Sequence, residues 1–82
     1  MLISTNYISE RMPERPIDAL DRAKGKKVFV KLKNGDEITG VLMALDLHLN
    51  LWLEDVDIQG ENKRKFTTIL IRGDTILYAS PV

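Results

Sequence analysis

Two short stretches bring amide, imidazole and charged side chains together at spacings that suit a common site. The first, residues 46–50, reads Asp-Leu-His-Leu-Asn, so that polar residues alternate with leucines. On a β-strand this alternation places Asp46, His48 and Asn50 on one face. An imidazole is a flat ring that can stack on a base, and a carboxamide presents a donor beside an acceptor. The same pattern is also typical of the solvent-facing side of an ordinary amphipathic strand.

The second stretch, Ile69–Tyr78, contains two apolar runs on either side of a Gly-Asp pair. This pattern is typical of two antiparallel strands joined by a tight turn, in which the glycine supplies the positive φ of a type II′ turn. Arg72 and Asp74 would then lie at the hairpin tip, where a pair of apolar strands does not require charges. We expect these two residues to contact something outside the core. The alternative is a surface salt bridge, which contributes about 0–1 kcal/mol.

The remaining sequence predicts a short helix followed by five antiparallel strands, a mostly β fold. The segment from Arg15 to Gly25 has a proline and acidic residues in its first turns and an apolar stripe, as a helix that packs on a sheet requires. Strands are predicted over residues 26–33, 38–46, 47–53, 66–72 and 75–80. Asn34-Gly35 predicts a hairpin and Gly40 a bulge where the sheet curls. Asp55–Lys65 is interpreted as a loop or as the tip of a long hairpin.

The composition excludes several classes of protein. The 12 basic residues are balanced by 12 acidic ones, which argues against a protein that grips duplex DNA through a broad cationic face. With no cysteine and one histidine, the chain lacks the ligands for a thiolate or multi-histidine metal site. No apolar run approaches the roughly 20 residues of a membrane span, and the first residues lack the order of a signal peptide. We therefore expect a cytoplasmic protein without metal, cofactor or membrane partner.

Residues 1–13 have no clear hydrophobic period, so we predict a flexible N-terminal extension there and one domain over residues 14–82. The serines have no context of a nucleophile next to a base, and we do not expect an enzyme.

The Asp-x-His-x-Asn and Ile-Arg-Gly-Asp motifs together resemble the two signatures of the Sm and Sm-like (LSm) RNA-binding proteins. The resemblance extends from about Arg15 to Pro81 and includes Lys33-Asn34-Gly35 and Gly40; the small single-domain form is similar to the archaeal type. It implies the Sm fold, a strongly bent, SH3-like small barrel. It also implies a homo-oligomeric ring, a heptamer or alternatively a hexamer, that binds single-stranded U-rich RNA as a chaperone or scaffold in RNA processing, alongside RNA-processing proteins.

The resemblance implies a uridine-binding pocket formed by His48, Asn50, Arg72, Gly73 and Asp74. We expect the base to lie between the imidazole of His48 and the guanidinium of Arg72. Asn50 would donate to uracil O4 and accept from N3–H, and Gly73 and Asp74 would add backbone N–H donors.

The amide of Asn50 must be held in one orientation if it is to distinguish uracil from cytosine. We expect Asp74 to accept the hydrogen bond that holds it, with Asp46 as the less favoured candidate. Secondary RNA contacts are expected from Asp46 and, on one face of the ring, from Arg15.

Two positions depart from the family pattern. Leu45 stands where some relatives have an aromatic residue just before the first motif, so a second stacking site loses its ring there. Trp52 stands where an aliphatic residue is usual, and we expect it to pack beneath the helix or against a neighbouring subunit.

Two other functions fit the same fold class. One is an SH3-like module that binds peptides, whose groove would require clustered aromatic side chains. The other is a structural ring that organises proteins without RNA specificity. The ring itself follows from two apolar edge strands, residues 66–72 and 75–80, which pair head-to-tail between subunits.

Overall fold

The computed structural model describes residues 15–61 and 63–82, which form a short helix and five antiparallel strands. The elements are α1 (Pro16–Asp21), β1 (Lys27–Leu32), β2 (Glu37–Leu45), β3 (Leu51–Gln59), β4 (Arg64–Ile71) and β5 (Ile76–Pro81). The predicted fold class is confirmed. The extension predicted at residues 1–13 lies outside the described residues and stays a prediction.

The helix forms where its sequence signals lie. Arg15 is the N-cap, Pro16 occupies the first turn, and the carboxylate of Asp18 accepts a hydrogen bond from the backbone N–H of Arg15 at 3.0 Å. Gly25, with a φ of +84°, follows the last turns, where only a residue without Cβ is unstrained. Ala23 is buried, so the helical region packs its apolar stripe on the sheet as predicted.

The five strands form one sheet in the order β4-β3-β2-β1-β5, so that β4 and β5 are its two edges. The core lies on one face of this sheet, where the alternating apolar residues of the strands meet. Its buried members are Ala23, Val28, Val30, Ile38, Leu42, Leu51, Leu53, Val56, Ile58 and Ile71. Buried residues alternate with less buried ones along β1 and the first part of β2, as expected for strands with one face on the core.

The bulge predicted at Gly40 is confirmed. The register between β2 and β3 shifts there, and Asp55 on the facing strand adopts a positive φ of 55°. A Cβ at position 40 would lie 3.1 Å from the carbonyl oxygen of Glu54 and 3.2 Å from a methyl group of Val56. The close approach of β3 therefore favours glycine at this position, and the bulge increases the local bend of the sheet.

The segment 55–65 is the tip of a long hairpin, the second of the two interpretations made from the sequence. β3 runs on to Gln59 and β4 begins at Arg64, and the two strands pair with Val56 opposite Phe66 and Ile58 opposite Arg64.

The hairpin predicted over Ile69–Tyr78 is wrong. β4 pairs with β3 and β5 pairs with β1, so the two strands that flank the Gly-Asp pair lie at opposite edges of the sheet. A single 3-10 turn, Gly73–Thr75, joins them, and Gly73 does not adopt a positive φ. The apolar runs on both sides read alike in the sequence, but each finds its partner in a different, distant strand.

Candidate nucleic-acid interface

Residues 46–50 form a tight turn between β2 and β3, and the strand predicted there is wrong. The carboxylate oxygen Oδ1 of Asp46 accepts hydrogen bonds from the backbone N–H groups of His48 at 2.9 Å and Asn50 at 3.0 Å. Leu49 turns the chain with a φ of +60°, and the side chain of Leu47 is exposed. An aspartate that bonds its own following backbone favours a turn over a strand, whatever the alternation of leucines suggests.

The amide of Asn50 is held on both sides. Its Nδ2 donates to Oδ2 of Asp46 at 3.0 Å, and its Oδ1 accepts from the backbone N–H of Gly73 at 2.8 Å. The prediction that Asp74 orients this amide is therefore wrong, and Asp46 performs that role. The reason is the turn: it brings Asp46 beside Asn50, whereas a strand would have kept the two residues far apart along its length.

These hydrogen bonds lower the pKa of Asp46 below its ordinary value of 3.8. The side-chain amide of Asn50 makes the largest contribution, because a donor stabilises the carboxylate over the neutral acid, and the backbone N–H groups of Asn50 and His48 add to it. Asp46 is thus a carboxylate at neutral pH.

Gly73 joins the turn after β4 to the turn after β2. A Cβ at this position would collide with the carbonyl oxygen of His48 and would lie 2.8 Å from the carbonyl carbon of Leu49. The backbone of the Gly73–Thr75 turn therefore packs directly on the 46–50 turn, which is what lets the N–H of Gly73 reach Asn50. Only glycine permits this contact, and the reason is space, not backbone dihedral.

Arg72 and Asp74 form the ion pair that the sequence left as an alternative. Nη2 of Arg72 donates to Oδ2 of Asp74 at 2.9 Å, with 79% and 63% of the two side chains exposed. A pair so exposed adds about 0–1 kcal/mol to stability. One carboxylate engages part of a guanidinium that has five donors and two flat faces, so Arg72 retains donors and a stacking surface.

A depression of about 530 Å³ brings together four of the five predicted pocket residues; Gly73 does not line it and meets the site through its N–H bond to Asn50. Its lining consists of His48, Asn50, Leu70, Ile71, Arg72 and Asp74. The sequence interpretation missed Leu70, whose side chain is 75% exposed. The signal was present: in the run Ile69-Leu70-Ile71 on a half-buried strand, the central residue must face outward.

Arg15 does not line this depression. Its guanidinium donates from Nε to Oδ2 of Asp18 and from Nη2 to Oδ1 of the same residue, both at 3.0 Å. The pKa of Arg15 is raised and that of Asp18 is lowered, first of all by these side-chain hydrogen bonds. In the structure Arg15 thus stabilises the start of α1.

Among the described residues, aromatic side chains do not form the cluster that a peptide groove of the SH3 type needs. Phe29 and Tyr78 lie with ring centroids 6.1 Å apart, while Trp52 is exposed elsewhere on the sheet.

In residues 15–61 and 63–82 no group of three or more potential ligand side chains is placed to hold a metal ion. Over the same residues no helix is long and apolar enough to cross a membrane.

Known proteins resemble this chain over nearly its whole length. Residues 18–81 match the LSM domain. An snRNP Sm-like protein of Archaeoglobus fulgidus is 47% identical over 72 residues, which cover 85% of this chain and 94% of that protein.

Among solved structures, a Pyrococcus abyssii Sm protein in complex with a uridine heptamer aligns with a TM-score of 0.78 and 39% identity, over 84% of this chain and 100% of that one. The P. aerophilum SmAP1 heptamer aligns with a TM-score of 0.78 and 38% identity, over 85% and 96%. The matched LSM domain includes every strand of the sheet and both turns of the site.

Proposed function

We propose that this chain, which belongs to the LSm family, binds single-stranded, uridine-rich RNA as a ring of identical subunits. The observation that carries this function is the amide of Asn50, held in one orientation by Asp46 and Gly73. A similar protein, the Sm protein of Pyrococcus abyssii, was solved in complex with a uridine heptamer, which supports the choice of base.

The fixed amide matches uracil and not cytosine. After its two bonds within the protein, Nδ2 of Asn50 keeps one N–H donor and Oδ1 keeps one lone pair. Uracil presents an acceptor, O4, next to a donor, N3–H, so both remaining positions are filled. Cytosine presents a donor and an acceptor in the opposite order, and an amide that cannot rotate would face donor to donor and acceptor to acceptor.

The two flat side chains of the depression supply affinity rather than selectivity. His48 and Arg72 line it together with Asn50, so a base bound at the amide lies beside an imidazole and a guanidinium. Stacking on such groups contributes about 1–3 kcal/mol per base and is tolerant of base identity. Asp74 keeps the Arg72 guanidinium in place through the 2.9 Å ion pair.

The ring follows from the two edges of the sheet. β4 and β5 each carry large exposed apolar residues beside an unpaired row of backbone N–H and C=O groups; these residues are Phe66, Leu70, Leu77 and Tyr78. β4 of one subunit pairs with β5 of the next, and this contact repeats head-to-tail. The subunits form a closed ring when the rotation between neighbours divides evenly into a full turn. The similar P. aerophilum protein is a heptamer, so we propose seven subunits, with six as the alternative.

A ring of identical base sites suits a chaperone or scaffold in RNA processing rather than an enzyme. Several sites engage one strand, so that weak contacts multiply into a stable complex without chemical change to the RNA. We place this function in the cytoplasm, with RNA-processing proteins as further partners. Arg15 and Asp46 stay predicted secondary RNA contacts.

Substitution of Asn50 tests the base-reading claim. Asn50→Asp removes both amide donors, so uracil O4 loses its partner at a cost of about 1–3 kcal/mol per site. It also sets a carboxylate oxygen against Oδ2 of Asp46, which now accepts from Nδ2 at 3.0 Å. We expect the affinity ratio of oligouridylate over oligocytidylate, measured at fixed salt, to fall to about one. Asn50→Ser, whose hydroxyl still donates, should keep part of the ratio. If Asn50→Asp keeps the affinity ratio of the parent protein, Asn50 does not read the base.

Native mass spectrometry at micromolar concentration tests the ring separately. We expect one main species with the mass of seven subunits, or of six. A spectrum dominated by monomer or dimer would contradict the assembly, whatever the binding measurements show.

A further inference from the structure

The outward face of the sheet carries an apolar row next to the base pocket. Trp52 on β3 lies directly opposite Ala44 on β2 and opposite Leu70 on β4. Paired residues on neighbouring antiparallel strands share one face, so the three side chains form a continuous row across the sheet. The indole is 39% exposed, and beside it stands the smallest apolar side chain of the row, which leaves part of the ring uncovered.

The prediction that Trp52 packs beneath the helix does not describe this arrangement. The helical region packs toward β5, at the far edge of the sheet from β3 and β4. Trp52 also lies one strand inside the β4 edge. In the proposed ring the next subunit pairs with the backbone of β4 and meets the apolar residues of that edge, Leu70 included, whereas Trp52 lies on the next strand inward, so this contact does not by itself cover the indole.

This row is continuous with the site for uracil. A second depression of about 300 Å³ is lined by Ala44, Leu45, Asp46, Asn50, Leu51, Trp52 and Leu70. Two of these residues, Asn50 and Leu70, also line the depression that contains His48 and Arg72. An RNA strand that places one base on the Asn50 amide therefore has a neighbouring nucleotide within reach of the indole.

We propose that Trp52 is a second base-binding position, on which the nucleotide adjacent to the bound uridine stacks. This proposal rests on the proposed function, because the first base must lie at Asn50. The ligand is a nucleobase of the same strand, without preference for its identity: a stacking platform accepts any base, since every base has a π-face. The indole thus supplies the stacking ring that Leu45 does not.

Trp52 is the sole tryptophan of the chain, so its emission reports on this position directly. We expect unlabelled oligouridylate to change the intensity of the tryptophan emission along the same concentration curve that the anisotropy of an end-labelled oligouridylate follows. Saturable RNA binding without any change in the emission would overturn the Trp52 position and leave the uridine pocket intact. Absence of RNA binding would overturn both.

Substitutions give the second readout. Trp52→Leu should weaken oligouridylate binding about fivefold or more while leaving the ratio of oligouridylate over oligocytidylate at its parent value. The affinity of Trp52→Phe, which keeps a smaller ring, should lie between the affinities of the parent and of Trp52→Leu. Met43→Ala is the matched control, since Met43 is 38% exposed and lines neither depression, and it should bind as the parent does. Parent affinity in Trp52→Leu would overturn the proposal.

Acrylamide quenching of the RNA-free ring distinguishes a base from a neighbouring subunit as the occupant. We expect acrylamide to quench the emission readily before RNA is added and less readily afterwards. Protection in the RNA-free ring would show that another subunit covers Trp52, and the proposal would be wrong.

Discussion

Two turns of this protein carry an Asn-Gly or Gly-Asp pair between apolar strands, and they serve different purposes. At Asn34-Gly35 the chain folds back on itself: β1 and β2 pair on either side, and Gly35 adopts a φ of +98° with nothing within 4 Å of a Cβ placed there. At Gly73-Asp74 the chain crosses from one edge of the sheet to the other. Gly73 has no positive φ, and a Cβ placed there would collide with the 46–50 turn.

The comparison shows that glycine is required for two unrelated reasons. In the first turn the requirement is conformational and local, since positive φ is costly for residues with a Cβ. In the second it is steric and depends on a segment 23 residues away, whose Asn50 accepts the N–H of Gly73. The first turn builds the sheet, and the second builds the site.

Gly73→Ala should have the largest effect, because the new methyl group has to displace the backbone of His48 and Leu49. We expect a loss of about 3 kcal/mol in the free energy of unfolding and loss of the preference for oligouridylate, since the N–H of residue 73 would leave Asn50. Chemical denaturation and the oligouridylate-to-oligocytidylate affinity ratio measure the two effects. Parent values for both would refute the steric account.

Arg72→Ala should separate binding from stability in the same turn. Loss of the stacking guanidinium should weaken oligouridylate binding tenfold or more, since about 1–3 kcal/mol per base is lost at every subunit. The free energy of unfolding should change by less than about 1 kcal/mol, because the ion pair with Asp74 is exposed. If the ring dissociates in native mass spectrometry instead, Arg72 belongs to the subunit interface and the assignment is wrong.

Gly35→Ala is the matched control for Gly73→Ala. The left-handed φ of Gly35 should cost about 1–2 kcal/mol in the free energy of unfolding, without any steric collision. The affinity and base preference of the ring should not change, since the hydrogen bond that links the two turns, from the N–H of Lys33 to the carbonyl of Thr75 at 2.8 Å, does not involve Gly35. An altered affinity ratio in this variant would show that the two turns are coupled.

The smallest effect is the dependence on pH of the hydrogen bonds around Asp46. Its native pKa lies below the ordinary 3.8, so folding favours the charged carboxylate. The associated stabilisation is complete above the ordinary value and is lost as pH falls through the lowered native pKa. The difference in unfolding free energy between the parent and Asp46→Asn should therefore be constant above pH 3.8 and shrink below it. A difference that is unchanged far below that pH would contradict the role of Asp46.

Asp18→Asn is the control for that experiment. The pKa of Asp18 is also lowered, first of all by the side-chain hydrogen bond from Arg15. The stabilisation that its carboxylate contributes should therefore also be lost as the pH falls. Because Asp18 caps α1 and does not touch Asn50, this variant should keep the parent preference for oligouridylate at neutral pH.

The sequence by itself determined several local elements and pointed to most residues of the candidate site. Alternation of apolar residues specifies β1 and β2, Asn34-Gly35 specifies their hairpin, and Gly40 marks the bulge, because each depends on neighbours in the chain. The two motifs also pointed to His48, Asn50 and the residues of the second turn through their resemblance to the family signatures, since the alternation alone is also typical of an amphipathic strand.

Only the tertiary structure decided how those residues are arranged. The partners of β4 and β5 are distant strands, so a local pattern that resembles a hairpin does not reveal the crossing at Gly73. The alternation at 46–50 likewise suggests a strand. This pattern carries no information about the carboxylate of Asp46, which accepts hydrogen bonds from the backbone N–H groups of a turn. The orientation of the Asn50 amide follows from both turns meeting, and that meeting is a property of the bent sheet as a whole.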